Sequence, residues 1–346
     1  MVELNGKKIL VTFLMHLGDL TLTTPFIHAL RKAAPDARIT MLVDEKLKDV
    51  VLFNPYLDEV VTIDKKGRDN SILSLWACSR HLSKLDFDVL INLHPNERCS
   101  FIDAMTSVKL RTGTTHKIFK WFWDVFTPLD RSMHAADMYL DVLQQLGVQD
   151  LSNNGLEIFP GEEHFLEAEL FWQEQNITDQ DKLIGFNIGS AVPTKRWPPE
   201  RFAEVADIFA AKGYKTVFFG GPMDEEMVAE ATGYMQTRPI IATGHFAIGG
   251  LAAAMRRCCL IITNDSGPMH VAISQKVPIV AMYGPSNPKL YGPYTKDAVI
   301  VTAQPPCQGC ADGMKHSCDD LQCMTRMTVK QVVEAADTML ERGVEK

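Results

Sequence analysis

Two α/β domains, each built on a mainly parallel sheet, are what this sequence predicts, and three observations carry the prediction. The chain has 346 residues, longer than one compact domain usually runs. Each half alternates short β-branched runs with amphipathic helical stretches, the rhythm of βαβ units. Between the halves, 151–161 is rich in Ser, Asn, Gly and Pro, the composition of an exposed connection. We therefore expect a Rossmann-like domain over 1–160 and a second over 161–346, facing each other across a cleft.

In the first half, strands are expected at 8–14, 38–43, 59–63 and 88–93. Leu20, Thr23, Phe26, Ile27 and Leu30 fall on one helical face that ends near Pro35, and 71–85 gives a further helix. The second half repeats the rhythm with strands at 183–187, 216–220, 240–242, 260–264 and 278–283. Over 328–342, Val332, Val333, Ala336, Met339 and Leu340 recur at helical spacing, giving a closing C-terminal helix whose docking partner the pattern does not name. Open α/β sheets bind ligands at the carboxyl ends of their strands, so the motifs should sit there.

With 46% apolar and 23% charged residues, the composition is that of an ordinary globular protein. No apolar run approaches the roughly 18 to 20 residues that span a bilayer, and Met1 to Lys8 is polar, so neither a signal peptide nor a transmembrane anchor is expected and the location is cytoplasmic. A net charge of -8 argues against nucleic acid as a partner. Cys78, Cys99, Cys258 and Cys259 sit in apolar or helical surroundings, as reduced core thiols do.

Four segments carry chemistry. Leu14-Met15-His16-Leu17-Gly18-Asp19 follows the first strand; Gly18 allows a tight turn and Asp19 stands at a helix start, where it serves either a ligand or as the helix N-cap. Ile184-Gly185-Phe186-Asn187-Ile188-Gly189-Ser190 runs a strand into a small-residue loop, with Lys195-Arg196-Trp197-Pro198 beyond it. Gly189 and Ser190 offer an amide and a hydroxyl to a phosphate, and Lys195 a charge. No Walker pattern occurs in the chain, which speaks against a nucleoside-triphosphate motor. Phe218-Phe219-Gly220-Gly221-Pro222-Met223-Asp224-Glu225-Glu226 ends a strand in a turn and opens a helix with three acids, suited to ribose hydroxyls or simply to the helix dipole. In Ile261-Ile262-Thr263-Asn264-Asp265-Ser266-Gly267-Pro268-Met269-His270 an apolar strand stops at a polar turn and a helix starts near Pro268. Amides of Ser266 and Gly267 then face an anion such as a departing diphosphate.

In this order and spacing the four segments resemble glycosyltransferase family 9, the lipopolysaccharide heptosyltransferases, over nearly the whole chain. Tyr283-Gly284-Pro285-Ser286-Asn287-Pro288 and the cysteine-rich stretch before Met324-Thr325-Arg326-Met327-Thr328 add to the likeness. The resemblance implies the fold known as GT-B and an inverting transfer of a heptose from ADP-heptose to a lipopolysaccharide inner-core acceptor. It implies Asp19 as catalytic base, Ser190 and Lys195 as phosphate contacts, Glu225 as a ribose or base contact, and Asp265, Ser266, Gly267 and His270 as the donor-sugar and diphosphate site. One departure is that Ser190 is followed by Ala191 where members carry a second hydroxyl, so that Thr194 becomes the alternative contact. No catalytic cofactor or metal is implied.

The implied acceptor is a phosphorylated, lipid-linked oligosaccharide at the cytoplasmic face of the inner membrane, which an acidic protein must meet with local positive charge. Lys65, Lys66, Arg68 and Arg111 are candidates, with Gly18, Arg98, Lys117 and Lys120 as the acceptor-binding set. Lys117-Ile118-Phe119-Lys120-Trp121-Phe122-Trp123 mixes basic and aromatic residues and serves either a peripheral membrane contact or the core. Cys307, Cys310, Cys318 and Cys323, with His316 nearby, form a candidate structural zinc site or a pair of disulfides. The rival readings are a nucleotide-sugar epimerase of the same fold and a non-catalytic two-lobed sugar-binding protein.

Overall fold

The computed structural model describes residues 2–303, 318 and 320–344, and the chain separates into two compact units, Met1–Phe159 and Pro160–Lys346. The first unit contains β1 (Lys8–Thr12), α1 (Leu17–Thr21), α2 (Thr24–Ala33), β2 (Arg38–Asp44), β3 (Glu59–Ile63), α3 (Ile72–Ser83), β4 (Phe87–Asn92), α4 (Glu97–Met105), β5 (Val108–Gly113), β6 (Val125–Phe126) and α5 (Ala135–Gln145). Its sheet has the order β3-β2-β1-β4-β5-β6, all pairs parallel.

The second unit contains α6 (Glu162–Glu174), β7 (Leu183–Asn187), α7 (Pro199–Ala211), β8 (Lys215–Phe219), α8 (Glu225–Tyr234), β9 (Ile240–Ile241), α9 (Ile248–Met255), β10 (Cys258–Asn264), α10 (Gly267–Ser274), β11 (Ile279–Met282), α11 (Pro288–Tyr291), β12 (Ala298–Val301), α12 (Gln322–Thr325) and α13 (Val329–Val344). Its sheet runs β12-β11-β10-β7-β8-β9, again parallel throughout. Counted from the first strand of each unit, both sheets have the doubly wound order 3-2-1-4-5-6. The two Rossmann-like sheets expected from the sequence are both present.

A parallel sheet is covered on both faces, which is why β1 and β7 read as apolar runs without alternation. In the second unit Ile184, Phe186, Leu260, Ile262 and Val280 share a core with Trp197, Phe202 and Phe209. Val332, Ala336 and Met339 of α13 enter that same core, at helical spacing. The closing helix thus docks on the second unit's own sheet and α7, where the sequence pattern named no partner.

Where one helix was expected from Leu20 towards Pro35, there are two, α1 and α2. Pro25 has no amide to donate to the carbonyl of Thr21, and the Thr24 hydroxyl donates to it instead at 2.8 Å. Strands β5, β6 and β12 were not anticipated. Lys109 and Arg111 break the apolar run of β5, while β6 and β12 are short and lie at sheet edges.

Candidate functional site

In a doubly wound sheet the chain leaves its first and fourth strands towards opposite faces, which opens a crevice at their carboxyl ends. In the second unit those strands are β7 and β10, paired with Asn187 opposite Thr263. Their loops bring Gly189, Ser190, Lys195, Asp265, Ser266 and Gly267 together. Ser190 is buried, and its hydroxyl donates to the Asp265 carbonyl at 3.4 Å and accepts from the Val192 amide at 3.3 Å. Lys195 ends a short 3-10 helix, Pro193–Lys195, and its Nζ lies 2.7 Å from Asp265 Oδ2. Thr194, in the same turn, is buried.

Ser266 is the N-cap of α10, with Gly267 and Pro268 in its first turn, so the first amides of an eight-residue helix face the crevice. His270, one turn further, is buried. Glu225 is exposed at the start of α8, beside Gly244. Asp224, its neighbour, is turned inwards and accepts from the Gly221 amide at 2.9 Å. A Cβ on Gly189 would stand 2.1 Å from Asp224 Oδ1, so any other residue there would have to displace that carboxylate.

Three residues that the sequence reading left without a role build this pocket. Asn187 Nδ2 donates to the Ser266 hydroxyl at 2.8 Å and to Thr263 Oγ1 at 3.1 Å. Asn264 Nδ2 donates to the Ile188 carbonyl at 2.6 Å while its Oδ1 accepts from the Trp197 amide at 3.1 Å, tying the two loops together. The Ser286 hydroxyl donates to Asp265 Oδ2, the same oxygen that Lys195 faces. Burial, followed by the Asp265 carboxylate, raises the Tyr283 phenol well above its usual range. The available signal was a polar residue closing an apolar strand, as Asn187 and Asn264 do; the structure shows both buried.

In the first unit the switch point lies between β1 and β4. The chain leaves β1 through Phe13 and Leu14, both buried, and turns into α1, which carries Gly18 and Asp19 half-buried in its first turn. The N-cap of α1 is His16, with no side-chain hydrogen bond to the helix. Asp19 is therefore not the N-cap residue; it stands three residues past the cap, in the helix's first turn. At the end of β4, His94 is pushed down to about 4 by burial, then by Arg131 and His16, so its imidazole is neutral at pH 7.

The cations expected on the acceptor side divide. Lys117 is exposed, and Lys120 Nζ lies 4.3 Å over the Phe126 ring. Arg98 donates to the carbonyl of Lys65 and to Asn70 Oδ1, and Arg111 Nε donates to the Asp103 carbonyl at 3.0 Å. Lys65 is buried against Asp44. Of the aromatic stretch, Trp123 is buried with its indole donating to the Thr112 carbonyl, and Phe119 packs edge-on to Phe101, whereas Ile118, Trp121 and Phe122 are exposed. The core alternative drawn for this stretch thus holds for Phe119 and Trp123, while Ile118, Trp121 and Phe122 stand outside the core.

Cys99 and Cys258 are buried and Cys78 half-buried, with burial pushing the Cys78 thiol up to about 11. Cys307 and Cys310 of the candidate zinc set, and His316, lie outside the described residues. Cys318 is exposed, and Cys323 is buried in the second core beside Met324. Among the described residues no cluster of three metal-ligating side chains occurs, and no helix is long and apolar enough to cross a membrane. A pocket of about 430 Å³ lies at the opposite end of the first sheet from that unit's switch point, lined by Leu4, Asn5, Lys32 and Val148 among others.

A family model described as glycosyltransferase family 9 (heptosyltransferase) matches residues 75–318. The chain is similar to lipopolysaccharide heptosyltransferase 3 of Escherichia coli strain K12, at 24% identity over 297 residues, covering 82% of this chain and 84% of that protein. Among solved structures it superposes on a glycosyl transferase family 9 protein from Veillonella parvula with a TM-score of 0.94, at 52% identity and with 99% of each chain covered. It also superposes on the E. coli ADP-heptose lps heptosyltransferase II with a TM-score of 0.78, at 21% identity, covering 97% of this chain and 99% of that one.

Proposed function

Because this chain belongs to glycosyltransferase family 9, we propose that it transfers a heptose from ADP-heptose to an inner-core sugar of lipopolysaccharide, with inversion at the anomeric carbon. The observation that carries the proposal is the Lys195–Asp265 pair at the β7/β10 switch point, set beside the first amides of α10. The names of the relatives, lipopolysaccharide heptosyltransferase and ADP-heptose heptosyltransferase, support the choice of donor and acceptor. They also disfavour the epimerase and non-catalytic alternatives.

In this reading Ser190, Lys195 and the amides of Gly189, Ser266 and Gly267 hold the diphosphate. Glu225 takes the ribose or base, while Asp265 and His270 hold the heptose. Asp19 removes the proton of the acceptor hydroxyl as its oxygen forms a bond to the anomeric carbon. The bond from that carbon to the diphosphate oxygen breaks on the opposite face, and ADP leaves with the electron pair. Lys195 and the amide dipoles stabilise the charge that grows on the leaving oxygen, so no step is routed through a metal. Gly18, Arg98, Lys117 and Lys120 are assigned to the acceptor side.

The acceptor is lipid-linked, which places the work at the cytoplasmic face of the inner membrane, with Lys117, Lys120 and Trp121 as the peripheral contact. The cysteine set has a structural role, by zinc or by disulfide, apart from catalysis; zinc below about a tenth of an equivalent per chain rules out the metal version. The test of the central reading is turnover of ADP-heptose with heptose-deficient lipopolysaccharide by the protein and by Asp19→Asn. Transfer that collapses in the variant while ADP still binds supports it. Equal turnover by both proteins removes Asp19 as base, and no binding of ADP-heptose removes the donor assignment.

A further inference from the structure

Lys65 follows β3 by two residues, and its charge points into the protein. Its Nζ donates to the carbonyls of Leu14 at 2.9 Å and Met15 at 2.8 Å, and lies 3.2 Å from Asp44 Oδ2. The Lys65 and Asp44 side chains are only 10% and 7% exposed. An ammonium has three donors and no acceptor, so this one is fully engaged within the chain. The two carbonyls lie just past β1, where the ladder with its neighbours has ended, and buried carbonyls must find donors elsewhere.

The same turn is braced from other sides. Asn96 Nδ2 reaches Met15 Sδ at 3.9 Å, and the Lys65 carbonyl accepts from the Arg98 guanidinium, which also holds Asn70. Asp44 closes β2 and accepts the Lys46 amide at 3.3 Å, so the carboxylate facing Lys65 is itself fixed. Beyond the turn, the His16 carbonyl accepts from the Leu20 amide at 2.9 Å and the Gly18 carbonyl from Leu22 at 3.0 Å, which makes Asp19 part of one rigid piece with residues 16–22.

We propose that Lys65 is a positioning residue for the transfer reaction: by clamping the Leu14 and Met15 carbonyls against Asp44, it sets the turn that delivers the Asp19 carboxylate. The proposal rests on the reading of Asp19 as the base. It also moves Lys65 out of the set of cations that meet the acceptor phosphates. A displacement of a base by about 1 Å costs on the order of 100-fold in rate, so a clamp four residues away matters to the chemistry.

The test compares the protein with Lys65→Met and with the double variant Lys65→Met, Asp44→Asn, in which neither charge of the pair is left buried alone. Two measurements are made, backbone hydrogen exchange over residues 13–22 and steady-state transfer with ADP-heptose. In the double variant, exchange over 13–22 rises while the second unit is unchanged, and kcat falls about 10- to 100-fold with the KM for ADP-heptose unaltered. Exchange at the level of the parent protein overturns the proposal. So does a rise confined to the acceptor KM, which makes Lys65 an acceptor contact, or full recovery of kcat in the double variant, which makes the pair purely structural. Should the parent protein not turn over ADP-heptose at all, the functional reading fails, and the exchange experiment still decides whether Lys65 holds the turn.

Discussion

Lys195 Nζ sits 2.7 Å from Asp265 Oδ2, and the Ser286 hydroxyl donates to that same oxygen. The two side chains of the pair are 13% and 7% exposed, so the cation proposed for the diphosphate is neutralised by the residue proposed for the sugar. With three N–H donors, Lys195 would share its charge between Asp265 and a diphosphate held as proposed.

That relationship separates the two residues in a binding experiment. Lys195→Met is expected to weaken ADP roughly 10- to 100-fold, the worth of a hydrogen bond to a charged group. Asp265→Asn removes the charge that pairs with Lys195, so ADP should bind as well as before or better, while transfer slows because a charged two-oxygen acceptor facing the sugar is replaced by a neutral amide. Calorimetric titration with ADP reads both. An equal loss in the two variants would mean that the pair serves only to hold the loops together.

Gly189 supplies a steric test of the phosphate loop. Its missing Cβ leaves room for the Asp224 carboxylate, which would otherwise lie 2.1 Å away. Gly189→Ala should lower the melting temperature and weaken ADP, and adding Asp224→Ala should recover most of both, because the three atoms nearest to the new Cβ all belong to that carboxylate. Additive losses in the double variant would show that backbone conformation, not the contact, requires the glycine.

Much of this was legible in the sequence because parallel sheets write themselves plainly. Leu183–Asn187 and Glu59–Ile63 were placed to the residue: the first is a fully buried apolar strand, the second a half-buried edge strand marked by its β-branched Val60, Val61, Thr62 and Ile63. The glycine and serine loops stood out because they follow such runs. What was hidden depended on partners far along the chain. Lys65 reads as one more surface cation beside Lys66 and Arg68, and only the fold brings it to Asp44 and the Leu14 carbonyl. Arg111 was likewise a candidate for phosphate, yet in the edge region of the first sheet it serves the Asp103 and Thr106 carbonyls. Ser286 lay within a motif noted for its likeness, but nothing in its spacing pointed to Asp265.

Asp103 predicts a pH dependence of stability. It is fully buried on α4, accepts from the Thr12 hydroxyl at 2.9 Å, and is pushed up to about 8 by burial, from an ordinary value of 3.8. The folded state therefore holds a proton that the unfolded state gives up. The contribution to stability is complete below about pH 4 and is lost as the pH rises towards 8. Asp103→Asn keeps the shape and removes the titration. Relative to the parent protein, its melting temperature should improve steadily between pH 5 and about 8 and level off above. A difference that stays flat across that range would show that the carboxyl is ionised in the folded protein.

The outward side of the 3-10 helix Lys117–Phe122 gives the last expectation. Trp121 is 96% exposed and Ile118 is 60% exposed, while Phe119 and Trp123 anchor the segment from within. In the peripheral contact proposed above, an exposed indole beside two lysines would combine apolar insertion with attraction to anionic headgroups. The protein should therefore sediment with vesicles containing anionic lipid, and less so in high salt, where surface charges are screened within a few ångströms. Lys117→Glu with Lys120→Glu should abolish the salt-sensitive part, and Trp121→Ser the remainder. Each change should leave the melting temperature within about 1 °C, since surface positions of this kind contribute little to folding. Vesicle binding untouched by all three substitutions would place the contact elsewhere on the chain, and no binding at all would mean that the lipid-linked acceptor is met without a membrane anchor.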